Sequence, residues 1–173
     1  MDPITTQLKI KLTESISALD KYATQARRPS KWSIQQIVEH LILTYCATEE
    51  VLTTRLAKGR PTSATPSLFQ QCAQVLILRA GYFPSGRPAP DAVIPKADSR
   101  PLSGNRLAGQ AEDHLVRMDA LLDEAVKMFG PRDQSVSHVV LGPLSPAQWR
   151  RFHLVHGLHH IRQIKATAQP RAS

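Results

Sequence analysis

Histidine is concentrated in one short stretch of the sequence. The segment RRFHLVHGLHH, residues 150–160, holds four of the seven histidines, namely His153, His156, His159 and His160. Neutral imidazoles are common ligands of zinc and other transition metals. Two residues four positions apart lie one turn above the other on a helix, so His156 and His160 would share a face. This spacing favours a metal site.

The same helical face carries aromatic residues. On a helical wheel of about 100° per residue, one stripe contains Trp149, Phe152, His156, His160, Gln163 and Thr167, with His153 at its edge. We expect this stripe to point into the protein core, where an unpaired polar group costs about 1–3 kcal/mol. A divalent metal would satisfy both imidazoles at once. The alternative is that hydrogen bonds within the protein satisfy them.

A third histidine, His40, lies at the border of the apolar stripe of an earlier predicted helix, in the sequence VEHL. It would supply a third ligand if the two helices pack side by side. A zinc protease of the H-E-x-x-H type requires Glu directly after the first histidine. Gly157 occupies that position, which excludes this class and would allow a neighbouring helix to approach closely.

Apolar residues at spacings of three and four predict the helices that carry these side chains. The predicted helices cover residues 4–27, 33–59, 67–81, 105–129 and 145–168. Ser33 with Gln36 forms a capping-box pattern, and Ser145 is followed by Pro146 and Gln148, which is typical of a helix start. No strand is predicted.

The segment 83–104 contains five prolines, which exclude both a helix and a central strand. We expect this long loop to pack on the body of the protein through Val93 and Ile94. The sequence therefore predicts an all-α fold: a four-helix bundle with one extra short helix and a long Pro-rich loop, in a single domain over residues 1–173.

The last predicted helix has a second apolar stripe, formed by Leu154, Leu158 and Ile161. A helix with two apolar faces needs two partners. The short helix at 67–81 or a second subunit could cover this stripe, and a homodimer is the weakly favoured expectation.

The composition narrows the classes of function. The chain has 173 residues and a net charge of +8, but its Lys and Arg residues are scattered, so nucleic-acid binding is not favoured. Neither a signal peptide nor a membrane-spanning run is visible, which predicts a cytoplasmic protein. Cys46 and Cys72 are expected to be reduced thiols, each buried on a helix.

Four stretches together resemble a known superfamily. They are KWSIQQIVEHL, FHLVHGLHHIRQI, GPLSPAQWRRF and FPSGRPAPDAVIP. The chain resembles, over roughly residues 5–167, the DinB-like (damage-inducible-type) superfamily of metal-dependent four-helix bundles, in a poorly characterised sub-branch. One departure is visible: His138 in SHVVLGPL lacks the proline that follows histidine in related sequences.

The resemblance implies a three-histidine site for a divalent metal, with His40, His156 and His160 as ligands. His159 and Gln163 match the motif without being ligands in it. Zinc, nickel and iron are not distinguished by an all-imidazole site. The candidate side chains around the ligands are Glu39, Tyr45, His153 and Gln163.

Two kinds of function follow. Characterised relatives in the superfamily include bacillithiol- and mycothiol-dependent S-transferases and a maleylpyruvate isomerase. The resemblance thus implies a small-molecule substrate, with a low-molecular-weight thiol as the leading candidate, and a metal-dependent transferase or a related hydrolase or isomerase. The alternative is a non-catalytic module that binds a metal or a ligand. His114 is expected to be a partly exposed helix residue.

Overall fold

The computed structural model describes residues 1–84, 86, 88–96 and 100–169. Within these residues the chain forms five α-helices and one two-stranded sheet, so the all-α prediction is confirmed. The elements are α1 (Pro3–Ile16), α2 (Ile34–Ala57), α3 (Leu68–Gln74), α4 (Gly104–Phe129), β1 (Val136–His138), β2 (Gly142–Leu144) and α5 (Pro146–Ala168). None of the described helices is long and apolar enough to cross a membrane.

The predicted starts of α2 and α5 are confirmed. The hydroxyls of Ser33 and Ser145 accept hydrogen bonds from the backbone N–H groups of Gln36 and Gln148, and both capping boxes are complete. Each box satisfies backbone donors that the first turn of a helix leaves unpaired. These local bonds fix the starts of the two helices that carry the histidines.

The predicted helix over residues 4–27 is wrong beyond Ile16, where α1 ends. The start of α4 lies directly against this point, and a Cβ atom on Gly104 would come within 1.6 Å of the Ile16 carbonyl oxygen. The Gly104 N–H donates to the carbonyl of Leu19 at 2.8 Å, and only a short 3₁₀ turn follows at Ala23–Gln25. A contact between distant parts of the chain thus overrides the helical periodicity.

The predicted helix over residues 67–81 is shorter and less regular than expected. It forms α3 and continues as a π-helical turn over Val75–Arg79. Cys72 on α3 is exposed and Cys46 on α2 is only partly buried, so the prediction of two buried thiols is wrong.

The sheet is a correction to the prediction that the chain has no strand. Val136 pairs with Leu144 and His138 with Gly142 in antiparallel register. Each strand has three residues, which is too short to give an alternating sequence pattern. Gly142 has φ of +69°, a backbone conformation that favours glycine.

The Pro-rich loop packs on the body as predicted, but only one of the two residues named for this contact is buried. Val93 is 9% exposed and Ile94 is 46% exposed. Residues 85, 87 and 97–99 of this loop lie outside the described residues. The turn at Asp91–Val93 contacts α2, and this contact places Val93 beside the helix that carries His40.

A buried ion pair joins three helices. The Arg150 guanidinium on α5 donates to the Asp119 carboxylate on α4 at 2.7 Å, and both side chains are almost fully buried. The same carboxylate accepts hydrogen bonds from the Thr5 hydroxyl and the Asp2 backbone N–H, both at 2.8 Å, at the start of α1. A buried ion pair is stable only when such further bonds satisfy its polar atoms.

The second apolar face of α5 packs against α1, so a second subunit is not needed to cover it. The closest approach is at Gly157, where a Cβ atom would lie 2.3 Å from a methyl carbon of Leu8. The sequence-based expectation of a close approach at this glycine is confirmed. Leu154 and Ile161 of the second stripe are buried and Leu158 is partly buried, so the homodimer stays a prediction.

We expect Gly157→Ala to destabilise the protein by about 1–3 kcal/mol, because the added Cβ atom would overlap the side chain of Leu8, which is buried in the core. Gly109→Ala is the matched control, since Gly109 lies within α4 with nothing within 4 Å of an added Cβ atom. That control should gain up to about 1 kcal/mol from helix propensity. Urea denaturation of both variants measures the difference, and equal stabilities would contradict the close packing of α1 on α5.

Candidate metal centre

Helices α2 and α5 bring three histidines together, as the sequence predicted. The Nε2 atom of His156 lies 3.3 Å from Nε2 of His40 and 3.0 Å from Nε2 of His160. All three side chains are buried, and their potential ligand atoms lie within 4.8 Å of one another. His156 and His160 meet because they lie one turn apart on α5, and His40 joins them because α2 packs against α5.

Hydrogen bonds fix which nitrogen of two imidazoles carries the proton. Nδ1 of His40 donates to the carbonyl oxygen of Val93 at 2.8 Å, and Nδ1 of His160 donates to Oε1 of Gln163 at 2.8 Å. Each of these rings therefore turns the lone pair of its Nε2 atom towards His156. Bonds of this kind to the outer nitrogen are typical of histidines that bind a metal.

The three imidazoles are neutral at neutral pH. Burial lowers the pKa of His40, and it lowers the pKa of His160 to about 3. Burial, followed by the nearby imidazoles, lowers the pKa of His156 well below its ordinary value. Neutral imidazoles have the lone pair that a metal ligand needs.

Hydrogen bonding alone does not satisfy His156. A proton on its Nε2 could be donated to only one of the two neighbouring nitrogens, so the lone pair of the other stays unpaired. Nδ1 of His156 has no hydrogen-bond partner among the described residues, and a metal on Nε2 would leave the ring proton there. Two nitrogens bound to one tetrahedral zinc ion at about 2.0–2.1 Å lie about 3.3–3.4 Å apart. The observed separations of 3.3 and 3.0 Å are close to this value, so the buried triad could hold a divalent metal.

Two of the four predicted surrounding residues lie deeper in the core on the same helices. His153 is fully buried, and its Nε2 atom lies 3.1 Å from the Thr48 hydroxyl. Tyr45 packs edge-on against His153, with ring centroids 5.4 Å apart, and its hydroxyl has no hydrogen-bond partner among the described residues. Neither residue has a polar contact with the three Nε2 atoms among the hydrogen bonds of the described chain.

The other two predicted residues, Gln163 and Glu39, differ in their contact with the triad. The Gln163 carbonyl oxygen accepts a hydrogen bond from Nδ1 of His160, and the Gln163 amide N–H donates to Nε2 of His159 at 2.9 Å. His159 comes directly before His160 in α5, is half-buried and is not one of the three clustered histidines. Glu39 accepts a hydrogen bond from Gln35 and lines a separate cavity of about 340 Å³.

Three contacts of the triad were not found from the sequence. The Val93 carbonyl comes from the Pro-rich loop, and no sequence signal marks a backbone acceptor. The Trp32 ring packs on His40 at 5.1 Å, and the Phe83 ring packs on His156 at 4.9 Å. These two aromatic side chains form apolar walls beside the triad, and both lie in segments that the sequence assigned to loops.

His138 lies outside the triad. Its Nδ1 atom accepts from the backbone N–H groups of Val140 and Leu141 at 3.0 and 3.1 Å, which stabilises the turn between the two strands. Its ring packs on Phe152 with centroids 4.4 Å apart. Burial lowers the pKa of His138 to about 4.

The low pKa of His138 predicts a loss of stability in acid. Unfolded histidine has a pKa of about 6.5, so the unfolded chain takes up the proton first as the pH falls. The contribution of His138 is complete above about pH 6.5 and falls by up to about 1.4 kcal/mol per pH unit towards pH 4. We expect His138→Asn to flatten this slope, since Asn keeps an acceptor and does not titrate.

The measurement is a series of urea denaturation curves between pH 7.5 and 4.5 for wild type and variant. The difference in their free energies of unfolding should be constant above about pH 7 and shift in favour of the variant below about pH 6. A constant difference over the whole range would contradict the assignment of His138 as a neutral, partly buried acceptor.

Comparison with known proteins identifies the family of the chain. The family model described as "Protein of unknown function (DUF1569)" matches residues 5–167, and the chain belongs to this family. Neither the curated proteins nor the solved structures contain a significant match to the chain.

Proposed function

We propose that the chain is a DinB-like four-helix bundle that binds one divalent metal ion through His40, His156 and His160. The observation that carries this proposal is the meeting of three neutral Nε2 atoms in a buried cluster. The bundle is supported by the packing of the four long helices, in which α2 packs on α4, and α1 packs on both α4 and α5. The motifs of α2 and α5 support the DinB-like relationship.

The described residues supply three potential ligands, hydrogen bonds that orient two of them, and aromatic side chains around them. Three protein ligands leave a further coordination position, which is typical of catalytic rather than structural sites. A divalent metal bound there supplies a Lewis acid that stabilises a thiolate or hydroxide. Val93 and Gln163 orient two of the imidazoles, while Trp32 and Phe83 exclude water from the sides of the triad.

The proposed reaction is transfer of a low-molecular-weight thiol to a small electrophile. The thiolate sulfur attacks an electrophilic carbon, a carbon–sulfur bond forms, and the leaving group departs with the bonding electrons while the thiol proton passes to solvent. The DinB-like motifs favour this reaction class. The alternative is a non-catalytic metal-binding module, and the two are separated by the thiol assay below.

We expect His156→Ala to lower the metal content of the protein by about one ion per chain, because His156 is the ligand that contacts both others. His159→Ala is the matched control on the same helix, and it should keep the metal. Elemental analysis is done on protein purified without a nickel column, before and after reconstitution with zinc, nickel or iron. A wild type that binds no metal after reconstitution would overturn the proposed site.

We expect the metal-loaded protein to consume a low-molecular-weight thiol in the presence of an alkyl halide or an epoxide, and the His156→Ala variant to lose this activity. Loss of free thiol and formation of the thioether are followed by a thiol-specific dye and by mass spectrometry. Metal-loaded wild type that leaves every thiol and electrophile pair unchanged would favour the non-catalytic module.

A further inference from the structure

A second group of potential metal ligands lies on a different face of α2 from His40. Cys46 and Glu49 are three residues apart on α2 and therefore share a face, and His114 faces them from α4. The Cys46 sulfur lies 3.2 Å from Nδ1 of His114, and Oε1 of Glu49 lies 2.8 Å from the same nitrogen. These ligand atoms all lie within 4.8 Å of one another.

Arg117 on α4 lies at the edge of this group. One of its guanidinium nitrogens is 3.0 Å from Nδ1 of His114, and another is 3.5 Å from Oε2 of Glu49. Among the described residues this guanidinium is the cation beside the Glu49 carboxylate, and a bound metal ion would take its place.

We propose that Cys46, Glu49 and His114 form a second metal site, for a thiolate-preferring divalent ion of the zinc class. Thiolate, imidazole and carboxylate are the usual zinc ligands, and a thiolate disfavours magnesium and calcium. Tetrahedral zinc holds nitrogen and sulfur ligands about 3.5 Å apart, so the observed group needs only a small expansion. Arg117 can leave, since its side chain is 55% exposed.

A nucleophilic role for Cys46 is less consistent with its surroundings. Burial, followed by the charge of Glu49, raises the pKa of the Cys46 thiol. Reactive cysteines have a lowered pKa, because the thiolate is the nucleophile. A metal ligand behaves differently, since the bound ion displaces the thiol proton, and affinity then rises with pH.

The second site shares no residue with the histidine triad. Cys46 follows His40 by six residues, which places it about 9 Å further along the axis of α2 and about 120° around it. The second group is also only partly buried, whereas the triad is fully buried. The two sites can therefore be loaded and tested separately.

Cobalt titration distinguishes the two sites by their optical spectra. Only the second site contains sulfur, so only this site can give a thiolate-to-cobalt charge-transfer band in the near ultraviolet. We expect Co²⁺ to produce this band in wild type and in the His156→Ala variant. The band should be lost in Cys46→Ser and His114→Ala, and Cys72→Ser is the matched control that should keep it.

A wild type without the band, or a band that disappears with Cys72 rather than Cys46, would overturn the proposal. Alkylation gives a second readout: in the Cys72→Ser protein, Zn²⁺ should slow modification of Cys46, and an unchanged rate would contradict binding. Circular dichroism confirms that each variant folds. Failure of this site leaves the histidine triad untouched, because the triad is tested by the metal content of His156→Ala.

Discussion

The structure depends on the meeting of three neutral imidazole nitrogens within an apolar core. Lone pairs on Nε2 of His40 and His160 are turned towards Nε2 of His156 by hydrogen bonds at the far side of each ring. A neutral His156 can donate an Nε2 proton to only one of these two nitrogens, so the other lone pair has no donor inside the buried cluster. Protonation offers no relief, since burial disfavours the imidazolium form. The triad could therefore hold a divalent cation.

Contacts that involve no histidine hold α5 in place on both sides of His156. Six residues earlier, Arg150 is held by the carboxylate of Asp119, which also binds the start of α1. One residue later, Gly157 lets Leu8 of α1 pack directly against the helix backbone. These two contacts hold α5 against α4 and α1 on both sides of the histidines. Packing elsewhere in the core thereby positions a polar cluster whose hydrogen bonds are incomplete.

The parts of this arrangement that depend on local sequence could be predicted. The spacing of His156 and His160, the position of His40 on an apolar stripe and the capping boxes are all properties of single helices. The parts that depend on contacts between distant segments could not. The end of α1 is set by Gly104, and the bond that orients His40 comes from the Val93 carbonyl, which has no side-chain signal. His114 is partly exposed on a helix, as predicted, but its contact with Cys46 and Glu49 of α2 was missed for the same reason.

The histidine triad and the Cys46–Glu49–His114 group differ in charge, which indicates different roles for an ion bound at each. Three neutral imidazoles leave both charges of a divalent ion uncompensated in a buried place, which favours an anionic ligand from outside the chain at the remaining position. A thiolate, a hydroxide or a carboxylate would each be such a ligand. Ionised Cys46 and Glu49 would instead neutralise a divalent ion by themselves. This site also leaves one coordination position open, but it needs no external anion for charge balance, so water can occupy that position while the ion joins α2 to α4.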